Sequence, residues 1–165
     1  MPSDLYQFAM GLATLTQLLF VMGILPQGRK MKIAQYGTAI AVLHAIANGL
    51  HGLAHIEIPV ALSLLQSSFV GIVIFLTPII AAVLLWTQFY RIGSWLLVSS
   101  IAGSLLFGIY NHFIVISSDH VSQIAFAGWG MLFQITAILI LIVDAFGCWI
   151  GISALKTIQE PEKVI

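Results

Sequence analysis

The sequence predicts an all-α integral membrane protein, a bundle of five transmembrane helices with almost no mass outside the bilayer. Three observations carry that prediction. First, only 7% of the 165 residues are charged while 60% are hydrophobic, and the mean hydropathy is +1.06. A soluble domain carries about 25% charged residues, so six basic and six acidic side chains cannot cover a soluble protein of this size. Second, five stretches are apolar over the roughly 20 residues that an α-helix needs to cross the hydrocarbon core. Third, a five-span chain places all six Lys and Arg residues on one side of the membrane.

The same composition excludes several classes. A water-soluble enzyme and a disordered chain are ruled out by hydropathy. A nucleic-acid partner would need a basic face, and a net charge of zero supplies none, nor a polybasic patch for anionic lipids. The single Cys148 cannot form an internal disulfide framework.

The spans are expected at about 5–25, 33–55, 59–88, 92–116 and 122–155, all within one transmembrane domain covering 1–165. The fifth begins at Val121 or Ile124. Pro26-Gln27-Gly28-Arg29-Lys30 ends the first span, because Pro, Gly and charge do not continue a helix in lipid. Glu57-Ile58-Pro59 makes the second break, with Pro59 suited to a first helical position. Tyr90-Arg91-Ile92-Gly93 makes the third. Ser117-Ser118-Asp119-His120 makes the fourth and offers capping residues for the fifth helix. The acidic start Met1-Pro2-Ser3-Asp4 lacks the basic region of a cleaved signal peptide.

Orientation follows from the cations. Arg29, Lys30 and Lys32 lie between spans one and two, Arg91 between three and four, and Lys156 and Lys163 after span five. The positive-inside rule then sets the N-terminus extracytoplasmic and the C-terminus cytoplasmic in a plasma or inner membrane. Tyr36, Trp86, Tyr90, Trp95 and Trp149 near inner ends, and Tyr6, Tyr110 and Trp129 near outer ends, agree with interfacial aromatic belts.

Five histidines are many for such a chain, and their placement is ordered. His44, His51 and His55 stand at i, i+7 and i+11 of span two, within about 40° of one another on one helical face, and Asn48 lies beside them. Span four carries Asn111-His112 near its outer end, and spans two and four run in the same direction. Contact between them brings His51, His55 and His112 together near the extracytoplasmic surface. Small-residue ladders, Ala41-Ala45-Gly49 on span two and Ser100-Ser104-Gly108 on span four, favour close approach.

Neutral imidazole is the commonest ligand for Zn, Cu and Fe. Two histidines four residues apart on one helix and a third from another helix make a three-His site, with a fourth position open to water or substrate. His51, His55 and His112 are therefore the candidate ligands, and Glu57 or Asp119 the carboxylates that orient them. His44 lies about 10 Å deeper than His51, too far to share the ion. His44, Asn48 and Asn111 are read as polar groups toward a bound cofactor, or His44 as part of a second site or a proton path.

Two other readings use the same residues. In one, His51 with His112, or His44 with a partner, holds haem b in an electron carrier. In the other, the histidines only hydrogen-bond helices together in a structural or assembly subunit. HxxxH here lacks the Glu of a zinc-protease helix. The partners expected are the lipid bilayer and other membrane subunits or further copies of the chain.

Asp144 is the one carboxylate well inside a span, so it is protonated, paired or wetted from the inner surface. Pro78 should bend span three, with Thr77 compensating in part. Gln66-Ser67-Ser68 forms a polar cluster at a depth comparable to His51. That cluster lines a site or bonds helix to helix, and Gln17 and Gln134 read the same way. Gly128-Trp129-Gly130 reads as an interfacial anchor, and Cys148 as an apolar filler.

Overall fold

A computed structural model describes residues 28–58, 60 and 62–159. Span one, at 5–25, and Pro59 lie outside the described residues. Four helices account for spans two to five: α1 (Arg29–Glu57), α2 (Leu64–Leu85), α3 (Tyr90–Ile114) and α4 (Trp129–Gln159). Each is long and apolar enough to cross a membrane, and no strand occurs among the described residues. Even α2, at 22 residues, spans about 33 Å at 1.5 Å per residue.

Two boundaries differ from the sequence reading. Helix α2 starts at Leu64 rather than at 59 because Ser63 and Gln66 form a capping box. Ser63 N–H donates to Gln66 Oε1 at 2.9 Å, and Gln66 N–H returns to Ser63 Oγ at 3.3 Å. Helix α4 starts at Trp129 rather than at 121–124. Between α3 and α4 the chain folds back through turns, with His120 N–H donating to Ser117 O and Gln123 N–H to His120 O. His120 caps a single 3₁₀ turn, Val121–Gln123, by accepting from Ser122 N–H, so the capping residues serve that turn and not the long helix. Gly128 closes the loop at φ 54°, a conformation costly for any side chain with a Cβ.

The neighbours fix the helix directions. Gly37 faces Leu97 as His51 faces His112, so α1 and α3 run parallel. His44 meets Asp144 and His51 meets Thr136, so α4 runs antiparallel to α1. Trp86 Nε1–H donates to Thr38 Oγ1 at 2.8 Å, which sets α2 antiparallel to α1 as well. Lys30, Lys32, Arg91 and Lys156 consequently gather at one end, where the Lys30 ammonium sits 4.9 Å from the centre of the Tyr90 ring.

Helix α4 is the common partner, packing against both α1 and α3. Gly147 permits this: a Cβ there would lie 2.9 Å from Ile40 Cγ2 and 3.1 Å from Ile101 Cγ2. The two small-residue ladders fare differently. Ser100, Ser104 and Gly108 are all buried, whereas on α1 only Ala41 is, and Gly49 faces outward.

The surface is inverted relative to a soluble protein. Ile56 and Leu64 are 78% and 86% exposed, while His44, Asn48, Ser100, Thr136 and Asp144 are buried. Lipid as solvent accounts for that pattern, since apolar side chains gain nothing by leaving it and polar groups must find partners inside.

Candidate metal centre

The three histidines predicted to converge do so. One ring nitrogen from each of His51, His55 and His112 lies within 4.8 Å of the others. Helix α1 supplies His51 and His55 one turn apart, and α3 supplies His112 from a π-helical stretch, Tyr110–Ile114. That widened turn sends Val115 N–H to Tyr110 O, and Asn111 Nδ2–H takes up the Phe107 carbonyl at 2.9 Å. Such π-bulges recur at functional sites because the extra residue re-aims a side chain.

Hydrogen bonding decides which nitrogen each ring presents. His112 Nδ1 is 3.0 Å from the backbone oxygen of Asp119. A carbonyl only accepts, so Nδ1 carries the proton and Nε2 presents a lone pair when the ring is neutral. His51 Nδ1 lies 2.9 Å from Thr136 Oγ1, and that hydroxyl donates to Leu132 O at 2.7 Å. Thr136 is then an acceptor for His51 Nδ1–H, and His51 Nε2 also presents a lone pair. The two Nε2 atoms stand 3.2 Å apart. Two lone pairs facing each other at that distance repel unless a proton or a cation lies between them.

His55 completes the set. Its Nε2 is 3.4 Å from Asp119 Oδ1, and its Nδ1 is buried without a hydrogen-bond partner. Asp119 Oδ1 is also 3.2 Å from His112 Nδ1, so one carboxylate addresses two of the three rings from outside. Phe133 closes the floor, its ring centre 4.6, 5.1 and 5.2 Å from those of His51, His55 and His112. A tetrahedral ion with bonds of 2.0–2.1 Å to nitrogen holds its ligand nitrogens about 3.3 Å apart. The His51–His112 separation already matches, and the three histidines could hold a metal ion.

Of the two carboxylates considered, Asp119 reaches the histidines, whereas Glu57 is exposed. The loop from α3 to α4 returns Asp119 to the site, a reversal that residue spacing does not announce. Thr136 and Phe133 were not anticipated. A faint signal existed for Thr136: it precedes Asp144 by about the interval that separates His44 from His51, as an antiparallel helix pair requires.

His44 belongs to a separate layer. Pro78 has no N–H to return to the carbonyl four residues back, that of Ile74. His44 Nε2–H donates to this carbonyl at 2.9 Å. Its Nδ1 lies 2.7 Å from Asp144 Oδ1, and both residues are fully buried. With Nε2 already protonated, a single proton lies between ring and carboxyl, and the pair is neutral whichever side holds it. Asp144 is thus paired, and both His44 nitrogens are engaged, which leaves neither for a haem iron. Asn48 donates to His44 O at 2.9 Å, and Asn111 Oδ1 accepts from Gln66 Nε2–H at 3.1 Å, tying α2 to α3. The expected compensation by Thr77 is not what occurs. Its hydroxyl donates to Ile72 O at 2.7 Å, a carbonyl that already accepts Thr77 N–H at the end of a π-helical stretch, Val70–Leu76. It is His44 that takes the carbonyl Pro78 leaves.

His120 pairs with Ser122 Oγ at 2.8 Å and stays out of the cluster. Gln134 ties α4 to the preceding loop through Ile124 O, and Cys148 packs against the apolar core. A cavity of about 340 Å³ adjoins the three histidines, reaching from Asp119 to Asn48 and Ser104. No protein-family model, curated protein or solved structure matches the chain.

Proposed function

We propose that the protein is a five-span integral membrane protein that binds one transition-metal ion, Zn, Cu or Fe, through His51, His55 and His112. The ion lies near the extracytoplasmic face, because the cations gather at the opposite end and the positive-inside rule assigns that end to the cytoplasm. The observation that carries the reading is the division of each imidazole into two roles. In His51 and His112 Nδ1 meets Thr136 or Asp119 while the two Nε2 atoms face each other, and in His55 Nε2 lies near Asp119 while Nδ1 is buried without a partner. Outer partners of this kind fix tautomer and ring orientation in metal sites.

Three protein ligands leave a fourth position, and the three histidines line a cavity that could admit a further ligand. An open position is the pattern of catalytic rather than structural sites, so a metal-dependent membrane enzyme is favoured over a metal-binding accessory subunit. Haem b suits the geometry less well, since a macrocycle must lie between its axial nitrogens and those of His51 and His112 are in contact at 3.2 Å.

Elemental analysis and a visible spectrum of the protein purified in mild detergent test the reading. The expected result is one ion per chain and no Soret band, with the ion lost from His51→Ala and His112→Ala and retained in His120→Ala. A folded protein that carries neither metal nor chromophore, and takes up none when Zn²⁺ is supplied, leaves only helix-bonding roles for the histidines.

A further inference from the structure

The cavity beside the histidines has a chemistry of its own. Its polar wall is the histidine cluster with Asp119, and among the described residues Asp119 is the one carboxylate, Lys or Arg in its lining. The facing wall is apolar, built by Val70, Ile74 and Phe75 of α2 and Phe107 of α3. The cavity reaches the surface where α1 gives way to α2, past Ile56, Val60 and Leu62. Ile56 is largely exposed there, and the first turns of α2, Leu64–Phe69, bury no residue at all. The start of α2 is held to α3 by Gln66 and Phe69, while Leu64 and Leu65 stand exposed beside Ile56, so the side of the cavity next to them is an apolar surface at the level of the histidines.

A hydrated polar molecule would shed its water to pass such a surface, whereas a molecule already dissolved in lipid would not. We propose that the cavity holds the apolar body of a membrane-soluble amphiphile whose oxygen head group, of alcohol, phenol, carboxylate or hydroxamate type, takes the open position on the ion. This rests on the metal reading above and names its substrate class. The volume of 340 Å³ has room for roughly a dozen non-hydrogen atoms, at about 30 Å³ each, the share of a water molecule in the liquid. A chain of that length beyond an oxygen head fills it.

Glycine supplies the means of testing it. A Cβ on Gly52, which lines the cavity, meets nothing within 4 Å. Gly52→Leu therefore starts from a position whose Cβ is unobstructed on the cavity side. Ser67→Phe narrows the cavity from α2 on the opposite side. The experiment uses full-length protein in lipid nanodiscs loaded with Co²⁺, whose visible spectrum reports its ligands, and two probes with the same head, octanohydroxamate and acetohydroxamate.

Octanohydroxamate is expected to perturb the Co²⁺ spectrum at about a hundredfold lower concentration than acetohydroxamate, because its longer chain is buried. Gly52→Leu and Ser67→Phe should leave the starting Co²⁺ spectrum unchanged and weaken octanohydroxamate about tenfold, with acetohydroxamate unaffected. Equal potency of the two probes, or an octanohydroxamate advantage that survives in both variants as bilayer partitioning alone would give, overturns the proposal while leaving the metal site intact. Failure of the wild-type protein to bind Co²⁺ overturns the metal reading and this one with it.

Discussion

Two histidine layers lie on the same face of α1, seven residues apart, and they are built to opposite specifications. In the deeper layer His44 is saturated: Ile74 O takes one nitrogen and Asp144 the other. In the upper layer His51, His55 and His112 are each held from one side only. The difference separates histidine as helix glue from histidine as ligand. A buried polar group in lipid must be satisfied inside the protein, and the deeper layer does this for both nitrogens of His44, leaving Asp144 Oδ2 unpartnered and away from the cavity lining. The upper layer leaves His55 Nδ1 and Asp119 Oδ1 without hydrogen-bond partners beside a cavity.

The comparison breaks most visibly on stability. Asp144→Leu strands the buried His44 ring, and loss of one partner from a buried pair costs about 3–5 kcal/mol. His51→Ala should cost about 1 kcal/mol in the metal-stripped protein. Thermal unfolding of the metal-stripped variants in detergent reads the contrast, and equal losses would erase the distinction between the layers. Ion affinity should respond the other way round. Removing His51 or His112 abolishes tight binding, and Thr136→Val, which keeps the shape but removes the acceptor for His51 Nδ1–H, should weaken it about 10–100-fold. Competition against a chelator measures both.

Proton competition sharpens the same point. A ligand imidazole must be deprotonated to bind, so affinity rises with pH and the ion is expelled as pH falls. Equilibrium dialysis across a pH series checks the sign, and affinity that does not change with pH would contradict imidazole ligation. The smallest effect belongs to Pro78→Ala. It restores an N–H that competes with His44 for Ile74 O and should shift stability by no more than about 1 kcal/mol in the unfolding assay.

Much of this arrangement was legible in residue spacing. The helical face shared by His44, His51 and His55, the parallel run of spans two and four, and the depth match with His112 all follow from helix periodicity and span counting. The α3–α4 connection was not legible, because an apolar stretch reads as helix whether or not local turns interrupt it. Turn bonds around Ser117, His120 and Gly128 moved the start of α4 to Trp129 and brought Asp119 back over the histidines. The ladders misled on α1, because its main partner is α4, and the direct α1–α3 contacts run through Gly37 and His51 rather than through Ala45 and Gly49. Thr136 and Phe133 entered with α4 for the same reason, and neither π-helical stretch has a signature in composition.

The most direct test of the central claim is X-ray absorption at the metal edge of the purified, metal-loaded wild-type protein. The account predicts three imidazole nitrogens at about 2.0–2.1 Å with one further light ligand. A coordination shell made of water and carboxylate oxygens without imidazole, or one unchanged in His112→Ala, would contradict it.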